Sequence, residues 1–348
     1  MKTIILTSAA PRGDSAAVPR PSKGHRHALA TGLAALLIAL VPQLSRAECK
    51  IQSMEIPVEI IGSRAVAKVG IQGQTLPLVL DTGAFHSTLN ADLAQQLGLE
   101  LRALPRGMRI MGITGEAEAK LTTVKRLQLR GGDLPDMDFV VGGHVPAQGV
   151  GLMGRNILGA TDAEYDLGSG EMRLLVPNSD CRDGNMAYWA EGQPVSELAL
   201  LPPDRASKTP ALQVVVEVNG VRMTALLDTG AQTMLLRHAA ERAGITGLKP
   251  LGQIRGFGQG TAPVYLGGVN RVVIGKEQVT DLDLPVVEAQ LGNVDMLLGM
   301  DFFQSHRLYV SKRQRRLYFT YNGGPMFTLA AQLKARAAAP ASAASGTH

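Results

Sequence analysis

Two segments of this chain end in the same carboxylate-bearing turn. Leu76-Pro77-Leu78-Val79-Leu80-Asp81-Thr82-Gly83-Ala84 and Met223-Thr224-Ala225-Leu226-Leu227-Asp228-Thr229-Gly230-Ala231 match at an offset of 147 residues. In each, apolar residues lead into an Asp, and a Gly after it lets the backbone turn so that amide N–H groups approach the carboxylate. One Asp-Thr-Gly means little, because it is a common turn. Two, in matching positions of a duplicated unit, predict a pseudo-twofold axis that brings Asp81 and Asp228 face to face. Carboxylates about 3 Å apart cannot both ionise. One pKa rises, the other falls, and the pair holds one proton over a range of pH. That is a general base and a general acid around one water: the ionised Asp deprotonates the water and the protonated Asp donates to an amide carbonyl oxygen. Neither a metal nor a cofactor is called for.

The elements that must position these residues are also duplicated. Eight residues before each Asp lies a hairpin glycine, in Gln72-Gly73 and Asn219-Gly220. A short helical pattern follows each turn, Asn90 to Leu97 before Gly98 and Leu236 to Ala243 before Gly244, with Asn90 suited to an N-cap and the glycines to C-terminal positions. Glycine-rich turns recur further on, Met111-Gly112-Ile113-Thr114-Gly115 and Arg255-Gly256-Phe257-Gly258-Gln259-Gly260. Sixteen residues after Asp138 and Asp283 come Gly154 and Gly299, preceded by Leu152-Met153 and Leu297-Leu298. Each repeat closes with a hairpin, Tyr165 to Val176 and Leu308 to Phe319. Apolar runs of four to eight residues between glycine turns read as strands. The expected architecture is therefore mainly β: a first lobe over 48–176, a linker over 177–210 and a second lobe over 211–328, each lobe a small closed barrel with one short helix. An Ala-rich tail, 329–348, reads as disordered.

Composition narrows the function. The chain of 348 residues carries a formal charge of +5, but residues 1–47 hold six Lys/Arg and one Asp, leaving 29 bases against 29 acids in the remainder. Aromatics are only 4%. Neither a basic nucleic-acid footprint nor a stacking surface is present, so no nucleic-acid partner is expected. The charge-free stretch Ala28 to Val41 is too short to span a bilayer, which takes about 20 residues. With Ser45-Arg46-Ala47 after it, it reads as a cleavable export signal over 1–47, leaving no stable membrane insertion and a periplasmic or secreted product. Two cysteines, Cys49 and Cys181, lie at the ends of the first repeat in no metal or redox spacing. In an exported chain they suggest one disulfide. Phosphate-loop, zinc-helix and nucleophile-elbow motifs are missing. The basic run Lys312-Arg313-Gln314-Arg315-Arg316 reads as a solvated hairpin tip.

The paired Leu-Asp-Thr-Gly-Ala segments and the downstream Leu152-Met153-Gly154 and Leu297-Leu298-Gly299 resemble retropepsin-like aspartic proteases, in the single-chain duplicated form of bacterial aspartyl protease family proteins. The resemblance covers both repeats. It implies two pseudo-twofold-related retropepsin-like barrel lobes and an aspartic endopeptidase with Asp81 and Asp228 as the catalytic pair, needing no cofactor. It implies supporting roles around the pair for Thr82, Gly83, Ala84, Thr229, Gly230 and Ala231, the threonines bracing the two loops against each other. It also implies flaps over the cleft built from Gly112 and Ile113 on one side and Gly256, Phe257 and Gly258 on the other, above a peptide or protein substrate. With both halves in one chain, a monomer suffices. The chain departs from the family where Phe85 and Gln232 follow the alanines, and where Arg155 follows Gly154 but Met300 and Asp301 follow Gly299. The competing reading is a catalytically inactive periplasmic peptide-binding module on the same fold. A two-carboxylate glycosidase, which needs wider spacing and an aromatic cleft, fits poorly.

Overall fold

The computed structural model describes residues 2–6, 48–146, 149–203 and 210–327. The apolar stretch and cleavage site of the expected leader, and the Ala-rich tail, lie outside the described residues. Within the expected leader, Lys2–Leu6 forms a strand antiparallel to Cys49–Ile61. No helix among the described residues is long and apolar enough to cross a membrane.

The architecture is mainly β, with two pseudo-twofold-related lobes. In the first, strands Arg64–Ile71 and Gln74–Leu80 form a hairpin through Gln72-Gly73. The hairpin Ala119–Leu129/Gly132–Gly142 wraps round and closes the sheet by pairing Leu127 with Ile71. In the second, Gln213–Val218 and Val221–Leu227 form the hairpin, and Thr261–Ile274/Glu277–Val287 closes the sheet by pairing Val272 with Val218. The turn residues Gln72 and Asn219 sit at φ 50° and 49°, each followed by a glycine at positive φ, which suits the right-handed twist of the hairpin.

The strand that ends in each Asp is central in its sheet. Gly151–Met153 lies parallel to Gln74–Leu80, with Leu152 opposite Val79 and Met153 opposite Leu80. Met296–Leu298 repeats this beside Val221–Leu227, with Leu297 opposite Leu226 and Leu298 opposite Leu227. Parallel pairing covers both faces, so these segments read as continuous apolar runs rather than alternating ones. Leu78, Val79, Leu80 and Leu227 are all fully buried.

Asn90 caps the helix Ala91–Gln96 by accepting from Leu93 N at 2.7 Å, and Arg237–Arg242 is its counterpart. Among the described residues each lobe holds two short α-helices, not one. Arg155–Leu158 and Met300–Ser305 follow the conspicuous glycines. At one turn or little more they are too brief to show a helical period in the sequence.

Six neighbouring strands of the larger sheet form the floor between the lobes, in the order Ser196–Ala199, Arg316–Tyr321, His306–Ser311, Asp162–Asp166, Glu171–Pro177, Cys49–Ile61. The closing hairpins of the two repeats meet there, Tyr165 opposite Leu308 and Ala163 opposite Val310. The linker lies on this floor, away from the turns that carry the two Asp. Trp189 Nε1 donates to Thr320 Oγ1 at 2.8 Å, and Arg307 stacks on Trp189 while binding the buried Glu164. The basic run is the exposed hairpin tip expected, and it also holds the linker. Gln314 Nε2 donates to the carbonyls of Cys181, Arg182 and Gly184, Arg313 to that of Asn178 and Arg315 to that of Leu200. Its residue types serve as donors for linker carbonyls that no strand partner reaches.

Cys49 and Cys181 are joined in a disulfide, 132 residues apart in sequence. The bond ties the start of the first lobe's leading strand to the linker. Cys49→Ser is expected to lower unfolding free energy by about 5 kcal/mol, the chain-entropy contribution of a loop this long. Urea denaturation with and without reductant measures it; an unchanged midpoint on reduction contradicts the expectation.

Candidate active site

Asp81 and Asp228 leave their strands at the same level, because Asp81 N donates to Met153 O at 2.9 Å and Asp228 N to Leu298 O at 3.0 Å. The threonines then cross between lobes. Thr82 Oγ1 donates to Leu227 O at 2.8 Å and accepts from Thr229 N at 3.0 Å; Thr229 Oγ1 donates to Leu80 O at 2.9 Å and accepts from Thr82 N at 3.0 Å. Both hydroxyls are fully buried and each is used as donor and acceptor. This is the bracing arrangement expected of Thr82 and Thr229. Four buried bonds in a low-dielectric interior hold the two turns in one relative position.

The glycines interlock. A Cβ built on Gly83 would lie 2.5 Å from Asp228 Cγ, and one on Gly230 would lie 2.4 Å from Asp81 Cγ. Each carboxyl group therefore rests on the backbone of the opposite turn. The two carboxyl groups are thereby brought close enough for the Asp81 charge to raise the pKa of Asp228. Within each turn an amide faces the carboxylate: Ala84 N donates to Asp81 Oδ1 and Gly230 N to Asp228 Oδ1, both at 2.8 Å.

The two acids differ in environment. Burial pushes Asp228 up to about 7, and the neighbouring Asp81 charge adds to it. Burial also raises Asp81; the Ala84 amide and the Arg64 and Arg155 guanidinium groups oppose the rise there, as the Gly230 amide and Arg64 oppose it at Asp228. The pair is therefore set to hold one proton between them.

Sequence reasoning did not single out Arg64. It sits at the start of strand Arg64–Ile71, and its Nη1 donates to Gly230 O in the opposite lobe. Arg155 is buried behind the first turn and donates to Thr82 O at 2.8 Å and Gly83 O at 2.7 Å. The second lobe has Met300 at that place: Arg155 N donates to Ala84 O, and Met300 N to Ala231 O.

Both turns are locked from behind by one polar pair. Asn156 Oδ1 accepts from Ser87 N and Oγ, each at 2.8 Å; Asp301 Oδ1 accepts from Thr233 N at 3.0 Å and Oγ1 at 2.5 Å. Ser87 Oγ and Thr233 Oγ1 in turn accept from Gly154 N and Gly299 N. Ser87, six residues after Asp81, is thus the counterpart of Thr233, five after Asp228. The extra residue is Phe85, exposed, with Arg155 against its ring. His86 then corresponds to Gln232 rather than to Thr233. Burial lowers the pKa of His86, and its Nδ1 finds no partner, which does not suit a base.

The glycine turns expected as flaps reach across the cleft and touch. The first is the tip between Ile110–Gly112 and Gly115–Ala117; the second joins Lys249–Arg255 to Thr261–Ile274. Gly260 N donates to Thr114 O at 3.1 Å and Gln259 N to Glu116 O at 3.3 Å. A Cβ on Gly258 would meet Gly115 O at 2.4 Å, and one on Gly112 would meet Gly258 N at 2.9 Å, so only glycine permits this approach. No group of His, Cys, Asp and Glu able to hold a metal occurs among the described residues.

A family model described as gag-polyprotein putative aspartyl protease matches the chain over residues 67–160 and again over 214–305. Among solved structures, the crystal structure of an aspartic proteinase from Irpex lacteus is similar over 80% of this chain and 99% of its own, with 14% sequence identity and a TM-score of 0.46. No curated protein matches.

Proposed function

The chain belongs to the gag-polyprotein putative aspartyl protease family, matched once in each repeat, and on that footing we propose that it is an aspartic endopeptidase with Asp81 and Asp228 as its catalytic pair. The observation that carries the reading is the interlock of the two Asp-Thr-Gly turns, which rests each carboxyl group on the opposite turn, buried and electrostatically coupled to the other. A water held between them loses a proton to Asp81. Its oxygen bonds to the amide carbon while Asp228 gives its proton to the carbonyl oxygen, forming a neutral geminal diol. Asp81 then passes its proton to the amide nitrogen, Asp228 takes one from a diol hydroxyl, and the C–N bond breaks. Acid and amine leave with the starting protonation restored. The peptide lies extended beneath the flap tips and pairs with them as a strand.

Both halves of the site are in one chain, so a monomer is the working unit. The disulfide supports an oxidising, exported location.

The test is hydrolysis of a mixed peptide library across pH, with products read by mass spectrometry. kcat/KM is expected to fall above about pH 7 as the Asp228 proton is lost, and again in acid as Asp81 protonates. Activity still rising at pH 9 contradicts a pair that must hold one proton.

A further inference from the structure

The polar pairs behind the two turns differ in one donor. In the first lobe Asn156 uses both ends of its amide. Oδ1 accepts from Ser87 N and Oγ, and Nδ2 donates to Asp138 O at 2.9 Å. In the second lobe Asp301 holds the same place. Its Oδ1 accepts from Thr233 N and Oγ1, and from Phe302 N at 3.1 Å. Its Oδ2, the atom that corresponds to Asn156 Nδ2, is buried and accepts no hydrogen bond. Sheet register gives the counterpart of Asp138. Leu89 and Leu235, two residues after Ser87 and Thr233, lie opposite Val141 and Val286. Three residues before those valines come Asp138 and Asp283. An oxygen in the place of Asn156 Nδ2 therefore meets a carbonyl, and two acceptors that face each other need a proton between them.

Asp301 is only 3% exposed, so an ionised form buries a full charge with one oxygen unserved. Among the described residues no Lys, Arg or His pairs with it. The charged groups on the elements packed against helix Met300–Ser305 are engaged elsewhere: Glu164 and Asp166 with Arg307, Asp162 with Lys312 N and Tyr309, His306 with Glu277. The turn leading to Thr233 contributes another acid, Asp228. Burial accordingly raises the pKa of Asp301 against the donors on Oδ1. We infer that Asp301 is a neutral carboxylic acid in the folded protein, its proton on Oδ2 and donated to the Asp283 carbonyl, and that in this form it is the positioning residue for the turn that carries Asp228. From Oδ1 the hold passes through Thr233 Oγ1 to Gly299 N, while Met300 N beside it fixes Ala231 O. Loss of the proton sets a carboxylate oxygen against the Asp283 carbonyl and loosens that hold. The protonation stands without the protease reading above; its bearing on catalysis rests on that reading.

Thermal melts of wild type and Asp301→Asn at pH 4 and pH 8 are the test, and they need no turnover. Asparagine can repeat what Asn156 does and does not ionise. In wild type the folded acid keeps a proton that the unfolded chain releases above about 3.8, so the native state loses ground as pH rises. The midpoint of Asp301→Asn relative to wild type is expected to rise by at least about 2 °C between pH 4 and pH 8. Asn156→Asp is the reverse experiment. It should place a second neutral acid opposite Asp138 O and fall further below wild type at pH 8 than at pH 4. A gap that does not widen in favour of Asp301→Asn overturns the inference, as does an Asn156→Asp variant that loses no more at pH 8 than at pH 4. For the positioning role, Asp301→Ala is expected to lower kcat by about tenfold or more, and Asp301→Asn to restore most of it. A kcat for Asp301→Ala within twofold of wild type overturns that role. If wild type cleaves nothing, the protease reading falls, and the melts still decide the protonation.

Discussion

Asp228→Asn is expected to reduce kcat for peptide cleavage by at least about a thousandfold, the scale of loss when one member of a catalytic unit is removed. The amide is close in shape to the protonated acid and can accept from Gly230 N as the carboxyl does. It cannot give up a proton to the substrate and recover it, so the loss should fall on kcat more than on KM. A second readout separates lost chemistry from lost fold. The folded pKa of Asp228 lies near 7, above the ordinary carboxylate value of 3.8. Between those values the folded chain holds a proton that the unfolded chain releases, so this group destabilises the fold increasingly as pH rises from about 4 to about 7, and fully above that. Asparagine does not ionise. Asp228→Asn should therefore melt at a higher temperature than wild type at pH 8 and at nearly the same temperature at pH 4. A variant that is inactive and also melts lower at pH 8 points to a structural role for Asp228.

Gly83→Ala is expected to have the second largest effect, without removing any reacting atom. The added methyl would sit 2.5 Å from Asp228 Cγ and 2.5 and 2.6 Å from its oxygens. Neither side yields easily, because the turns are joined by the four buried threonine bonds and pinned by Met153 O and Leu298 O. The carboxyl group is then displaced by roughly an ångström, a misplacement that costs about a hundredfold in rate. Overpacking adds about 1–3 kcal/mol of destabilisation. Gly230→Ala should mirror it, since a Cβ there meets Asp81 at 2.4 Å. Measured kcat/KM within twofold of wild type for either variant would show that the two turns do not meet as described.

Much of this site was legible in the chain because its parts are short, local and written twice. The Asp-Thr-Gly turns, the hairpin glycines before them, the Asn90 cap and the apolar-apolar-Gly segments are each set by a few neighbouring residues. Repetition at a fixed offset separated them from chance. The cysteines were legible for a different reason, being two in a chain with an export-like start. What stayed hidden depends on distant partners. Nothing near Arg64 indicates that it reaches Gly230, 166 residues away. The basic hairpin is solvated as it reads, but its hold on the linker is hidden, because its acceptors are backbone carbonyls, which every sequence has and none advertises. His86 and Thr233 each lie five residues after an Asp, yet they are not counterparts: an inserted residue is invisible until hydrogen bonds show that Ser87 and Thr233 do the same job.

That inserted phenylalanine carries a consequence of its own. An assembly of two identical polypeptides must alter both sides of its groove with every mutation, so neither side can specialise alone. Here Phe85, with Arg155 against its ring, exists on one side only. On the protease reading, joining the halves in one chain releases them from symmetry, and selectivity toward the two ends of a peptide can drift, or be engineered, one end at a time.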